Sequence, residues 1–168
     1  MSHNTPTGSF VGRSYPPPAS WKFKEVRLHA LADIRPKLQT LTDEMLQWGF
    51  HYTEIFCVRY AVGEALHNAI KHGHRGDESK TVRLNYLISP EYVLAEVIDE
   101  GPGFNPKCIP NPFAARQQGQ VARQGLFFMS LFMSWVRFEG RGNRVTLCKM
   151  RAASADSSSQ TGDHESHE

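Results

Sequence analysis

The stretch that decides the fold is Ala61-Val62-Gly63-Glu64-Ala65-Leu66-His67-Asn68-Ala69-Ile70-Lys71-His72-Gly73. Val58, Val62, Ala65, Leu66, Ala69 and Ile70 recur at helical spacing and give an apolar stripe. Glu64, Asn68 and His72 are each four residues apart, so an α-helix stacks them on another face, with Lys71 beside them. A carboxylate, an amide and two basic groups in one row suit a charged ligand. Alone, the row reads more readily as a solvated helix face. The stretch gains meaning from Asp99-Glu100-Gly101-Pro102-Gly103-Phe104, a polar, glycine-bearing turn that follows an apolar run.

Working outward, the helix is predicted to begin near Tyr52 and to stop at Gly73. Before it, Leu31, Ile34, Leu38, Leu41, Met45 and Trp48 step by three and four, which predicts an amphipathic helix ending at Gly49. Asp33 can cap that helix and Pro36 falls in its first turn. Phe23 to Leu28 reads as a short strand. After the central helix, Val82, Leu84, Tyr86 and Ile88 alternate with Arg83 and Asn85, a strand with one buried face. Tyr92 to Ile98 is apolar apart from Glu96, as in a central strand. Residues 101–123 have little periodicity and suit a lid. Gly125 to Met133 reads as a third helix, with either Leu126, Met129 and Met133 or Phe127 and Leu131 inward. Val136 and Phe138 lead into an Arg141-Gly142-Asn143 turn, and Val145 and Leu147 return from it.

The order strand, helix, helix, strand, strand, lid, helix, strand, strand predicts an α+β two-layer sandwich. Its sheet is expected to be mixed and largely antiparallel, with three helices on one face. The ordered domain is expected over 21–151. Residues 1–20, with Pro6, Pro16, Pro17 and Pro18, read as a disordered leader, and 152–168 as a disordered tail.

Composition narrows the function. A chain of 168 residues suits one domain, and a net charge of +2 with no basic run argues against direct nucleic-acid binding. Three cysteines, Cys57, Cys108 and Cys148, at wide spacings fit a reduced compartment. No apolar stretch reaches membrane-span length and the N-terminus lacks a signal-peptide core, so a cytoplasmic protein is expected. His72 and His74 have no cysteine or acidic partner at ligand spacing, which speaks against zinc. No G-x-x-x-x-G-K sequence is present, so a P-loop is excluded.

Taken together, Glu64-x-x-x-Asn68 on a helix, Asp99-x-Gly101-x-Gly103 at a strand end and Gly125 opening a helix after a lid resemble the GHKL ATPases and their Bergerat fold. Within that superfamily, E-A-L-H-N-A-I-K-H-G, D-E-G-P-G-F and Q-G-L-F-F-M-S-L-F-M look most like the anti-sigma-factor serine/threonine kinases of the SpoIIAB and RsbW type. The resemblance spans about Phe23 to Arg151. It implies ATP and Mg²⁺ as ligands, with Asn68 on the metal and Asp99 accepting from the adenine amino group. Gly101 and Gly103 would let the backbone approach the base. The helix starting at Arg123-Gln124-Gly125 would offer N–H groups to phosphate. Lys71 and His72 would add charge there, and Glu64 would act as the base on a serine hydroxyl.

The chain departs from the family at three points. Arg123 stands where a second lid glycine is usual, and Arg116 is another basic lid residue. Arg144 stands near the usual adenine-contacting threonine, with Thr146 two residues on. The lid is long and glutamine-rich. The resemblance further implies a sigma factor and a STAS-type antagonist as partners, and a homodimer. The alternative is a catalytically weak nucleotide-binding adaptor that sequesters a partner. A detached histidine-kinase catalytic domain fits less well, because the proline-rich leader offers no two-helix phosphoacceptor module.

Overall fold

The computed structural model describes residues 23–75, 77, 79–103 and 124–152. Five strands, β1 (Lys24–Leu28), β2 (Val82–Ile88), β3 (Tyr92–Ile98), β4 (Trp135–Glu139) and β5 (Arg144–Met150), form one sheet in the order β1-β2-β3-β5-β4. Every pairing among them is antiparallel, as in the largely antiparallel sheet expected. The short connections impose it on the β2–β3 and β4–β5 pairs, since only antiparallel neighbours can be joined by a tight turn. The helices are α1 (Ile34–Gln47), preceded by a 3₁₀ turn at Leu31–Asp33, then α2 (Tyr52–Asn68) and α3 (Gln124–Phe132).

The sheet is two-faced because its side chains alternate. Leu28, Val82, Leu84, Tyr86, Val93, Ala95, Val97, Val145 and Leu147 point to the helix layer. From the helices, Leu38, Leu41, Met45, Val58, Ala61, Val62, Ala65, Leu66, Met129 and Met133 complete that core. In α3 the inward set is thus Leu126, Met129 and Met133, whereas Leu131 is exposed. On the opposite face Leu87, Tyr92, Leu94 and Cys148 form a smaller cluster with Trp135.

Two local expectations are corrected. Asp33 stands at the N-terminal boundary of α1, but its Oδ2 accepts from the N–H groups of His29 (2.8 Å) and Ala30 (3.0 Å) instead of capping α1. The preceding bend uses up the carboxylate. The α-helix expected to reach His72 ends at Asn68, and residues Ala69–His74 continue as a π-helix. Of the expected tail, Ala152 is described; the rest, like the leader, lies outside the described residues.

The corner between α1 and α2 is tied to the end of the sheet. Gly49 takes a φ of +73° to end α1, and His51 caps α2. Glu54, buried, accepts from His51 N–H (2.9 Å) through Oε2 and from Ala152 N–H (2.7 Å) through Oε1. Arg151 lies 4.2 Å from the Phe50 ring centroid and donates to the Trp48 carbonyl. One carboxylate therefore satisfies a helix start and the chain beyond β5. Glu54→Ala strips both donors and is expected to lower stability by about 1–3 kcal/mol in urea unfolding, whereas Glu54→Gln, which keeps an acceptor oxygen, should lose less. Equal midpoints for wild type and Glu54→Ala would contradict this role.

Candidate functional site

The site lies where α2, its π-helical extension, the end of β3, the β4–β5 turn and the start of α3 meet. Its residues are set by backbone contacts more than by side-chain bonds. Asp99 follows β3, and its Oδ1 accepts from Gly101 N–H at 2.7 Å, an Asx-type turn that reverses the chain. The Asp99 N–H donates to the Asn143 carbonyl and the Asn143 side-chain amide donates to the Asp99 carbonyl, each at 3.0 Å. Gly103, at φ +73°, packs on the Arg141 carbonyl so closely that a side chain there would overlap it. Glu100 accepts from Thr81 N–H at 3.1 Å. The D-x-G-x-G turn is therefore clamped between the β4–β5 turn and the start of β2.

On its other side the turn touches the π-helix. A Cβ on Gly73 would lie 2.5 Å from Asp99 Oδ1 and 2.6 Å from its Cγ. A Cβ on Gly101 would fall on the Gly73 backbone, 2.6 Å from Gly73 Cα. Both positions exclude every residue but glycine, and the result is a carboxylate pressed against bare main chain. Burial pushes the Asp99 carboxyl up from its ordinary range; the Gly101 N–H and the charges of His74 and Lys80 pull the other way.

Glu64 and Asn68, both half-buried, sit one turn apart on the last part of α2. Gly125, in the first turn of α3, is pressed against the Glu64 carboxylate. A Cβ there would overlap Glu64 Oε2 and lie 3.4 Å from Glu64 Cδ and 3.9 Å from Asn68 Nδ2. The start of α3 is thus brought onto the acid–amide pair. Asn68 and Gly73 are five residues apart, no more than about 8 Å along the helix axis. The carboxylate of Asp99 marks one end of this span, and Glu64, Asn68 and Gly125 the other.

The remaining sequence candidates divide. Lys71 and His72 are exposed on the π-helix, and the change in helical period after Asn68 takes His72 out of the row with Glu64 and Asn68. Thr146 is not brought to the site. It pairs with Glu96 and Arg137 on the face opposite Val145 and Leu147, the face that also carries the Arg144–Glu96 ion pair (3.6 Å). Gln124 opens α3. Arg123, Arg116 and Cys108 lie outside the described residues. Two residues that shape the turn escaped the sequence reading: Gly73, whose missing side chain admits Asp99, and Asn143, which locks the loop. The glycine closing a helical pattern was the one signal for the first, and only the fold reveals the second.

The raised carboxyl of Asp99 has a consequence for stability. Folding favours its protonated form, so the ionised form weakens the fold above that raised value, and the effect vanishes below the ordinary 3.8. Asp99→Asn keeps an oxygen for Gly101 N–H and carries no charge. In nucleotide-free thermal scans it is expected to melt at or above the wild-type temperature at pH 7, with the difference shrinking toward pH 4. A large drop at pH 7 would show that the charge supports the fold.

Comparison with known proteins agrees with this geometry. Residues 29–149 match the model of the histidine kinase-like ATPase domain. The chain is similar to a serine-protein kinase RsbW of Listeria monocytogenes serovar 1/2a, 28% identical over 108 residues, which are 60% of this chain and 69% of the relative. It is similar to the anti-sigma F factor of Thermoanaerobacter sp. strain X514, 31% identical over 99 residues, 58% of this chain and 68% of the relative. The anti-sigma F factor of Clostridium botulinum strain Eklund 17B is 28% identical over 100 residues, 58% and 70% of the two chains. The chain, with its antiparallel sheet and helix layer, thus belongs to the histidine kinase-like ATPase domain family, with its likeness on the SpoIIAB/RsbW side.

Proposed function

We propose that this chain is an ATP-binding protein-serine/threonine kinase and anti-sigma factor, which phosphorylates an antagonist protein in a partner switch. The observation that carries the proposal is the seating of Gly125 on Glu64 and Asn68. It brings a carboxylate, a side-chain amide and a helix start together, which supports a reading as a phosphoryl-transfer site, where positioning and charge stabilisation dominate. The names of the relatives, a serine-protein kinase and anti-sigma F factors, support the same reading.

The residues fit ATP at both ends. At the base end, the Asp99 carboxylate accepts from the exocyclic amine, a choice that favours adenine over a base with an oxygen in that position. Gly73, Gly101 and Gly103 leave main chain where side chains would stand. At the phosphate end, the first turn of α3 presents N–H groups and carries no acidic residue to repel an anion. Lys71 is exposed on the adjoining π-helix, free to reach a phosphate. Asn68 offers a neutral oxygen for Mg²⁺, a hard cation that keeps most of its waters. Once bound, that cation supplies charge neutralisation on the phosphate oxygens.

Glu64 then has one task. Its carboxylate lies beside the place where α3 begins, so it can orient a serine hydroxyl of the antagonist and take its proton. No carboxylate of unusual basicity is needed, because positioning and charge stabilisation dominate this reaction. The partners in this reading are a sigma factor and a STAS-type antagonist, met by a homodimer in the cytoplasm. No helix of the described residues is long and apolar enough to cross a membrane.

Transfer of labelled phosphate from ATP to a STAS-type antagonist tests the reading. Glu64→Gln should retain most ATP affinity while transfer falls by about a hundred- to ten-thousandfold. Asn68→Ala should remove the Mg²⁺ dependence of ATP affinity in a chain that remains folded. Equal transfer by Glu64→Gln would take the base role from Glu64. A wild type that holds its partner with ATP but transfers nothing would leave a sequestering adaptor, and Arg123→Gly would then be the variant to assay.

A further inference from the structure

We infer that residues 10–22, ahead of β1, run across the outer face of the sheet and seal the apolar cluster there. The inference is independent of the ATP-binding reading. The outer face is divided. Toward the β4–β5 turn it carries Arg83, Asn85, Glu96, Arg144 and Thr146, tied by the Arg144–Glu96 ion pair (3.6 Å) and an Asn85–Glu96 hydrogen bond (2.9 Å). Toward the other end it carries Leu87, Tyr92, Leu94 and Cys148, with Trp135 beside them. The polar part suits water. The apolar part is withdrawn from it: Leu87 is 9%, Tyr92 6%, Leu94 4% and Cys148 0% exposed. Among the described residues this cluster consists of strand side chains alone, and α1, α2 and α3 pack on the opposite face. Neighbours on a sheet shield one another sideways; closing such a face from above takes another layer. Tyr92, Trp135 and Cys148 each have a further interaction partner besides these.

The register points to what reaches it. Cross-strand pairing runs Leu87 to Leu94, Leu94 to Cys148 and Cys148 to Trp135, one apolar row across four strands. Beside that row lies the start of β1. Lys24 pairs with Tyr86, so the residue before it, Phe23, comes level with Leu87. The chain thus enters the sheet at the end of the apolar row. From β1 to β4 is four strand spacings, about 19 Å. An extended or polyproline chain covers about 3.1–3.4 Å per residue, so about six residues bridge the row, and twenty-two precede Phe23. Those residues have the chemistry: Tyr15-Pro16-Pro17-Pro18-Ala19-Ser20-Trp21, with Phe10 and Val11 ahead of it. Proline keeps the backbone extended, has no N–H to satisfy, and docks on aromatic-lined surfaces. Tyr92 and Trp135 offer such rings. Other occupants fit less. Residues 153–168 hold no apolar side chain larger than alanine. Residues 104–123 leave from Gly103 against the β4–β5 turn and return in the helix layer at α3, neither at this end of the face. A second copy is not needed for the burial, because these exposures are those of one chain alone. Composition by itself reads 1–20 as disordered; the covered row gives its last part a place.

Cys148, in the middle of the row, serves as the reporter. In the full chain it is expected to resist alkylation by N-ethylmaleimide, read by mass spectrometry of the peptide that holds it. Rapid alkylation of the folded wild type would overturn the inference. The full chain carrying Tyr15→Ser, Pro17→Ser and Trp21→Ser loses the proposed contacts and keeps every residue of the main core. Its Cys148 is expected to alkylate about tenfold faster or more, at a rate that stays flat with urea below the unfolding transition, as a local uncovering does. A rate that climbs with urea would report global unfolding and overturn the inference. An unchanged rate would overturn it too, and protection that then grew with protein concentration would assign the cover to a second copy. Should the variant not fold, trypsin cleavage after Lys22 of the wild type decides. Cutting as fast as in a peptide of residues 14–28 overturns the inference, and protection of about tenfold or more upholds it.

Discussion

The carboxylate of Asp99 lies against main chain that can carry no side chain, and the rest of the site depends on that contact. Gly73 and Gly101 approach each other and Asp99 within distances that a single methyl group would violate. This fixes where the π-helix runs relative to β3. The same loop is held from behind by Asn143, so β5 and the turn before it share the register. A methyl at Gly73 would have to push the helix extension from the sheet, and Asn68 and Glu64 would move with it. Packing around Asp99 thereby sets where Glu64 and Asn68 lie.

The site is built at a cost to the fold. A carboxyl is buried enough to resist ionisation, a histidine is left without hydrogen bonds, and a non-glycine residue is held at positive φ. None of these features stabilises the empty chain. The stability that tolerates them comes from the core between the sheet and α1, α2 and α3, and from the Glu54 and Arg151 ties at the far corner.

Much of the fold was legible because its periods are clean. Leu38, Leu41 and Met45 face inward as the three-and-four spacing requires, and Val82, Leu84 and Tyr86 as alternation requires. Two motifs, read in order, singled out Asp99, Glu64 and Asn68; in the structure Gly125 packs on Glu64 and Asn68, and Asp99 packs on Gly73 and Gly101. What failed to show has physical causes. The shift from α- to π-helix at Ala69 accompanies the contact of Gly73 with Asp99, a tertiary event that leaves no mark on local pattern. Thr146 was misassigned because a strand position carries no face until its partners are known, and a one-residue offset reverses it. Its pairing with Glu96 places it away from the helices. Asn143 acquires its role only when distant segments meet, so it could not be seen in sequence.

The claim on which everything turns is that Asp99 and the glycines around it form an adenine site. Calorimetric titration of the wild-type chain with ATP and with GTP, each with Mg²⁺, tests it most directly. The account predicts saturable ATP binding and at least a tenfold weaker response to GTP, whose six-position oxygen would face a carboxylate. Equal affinities, or no binding of either, would contradict it.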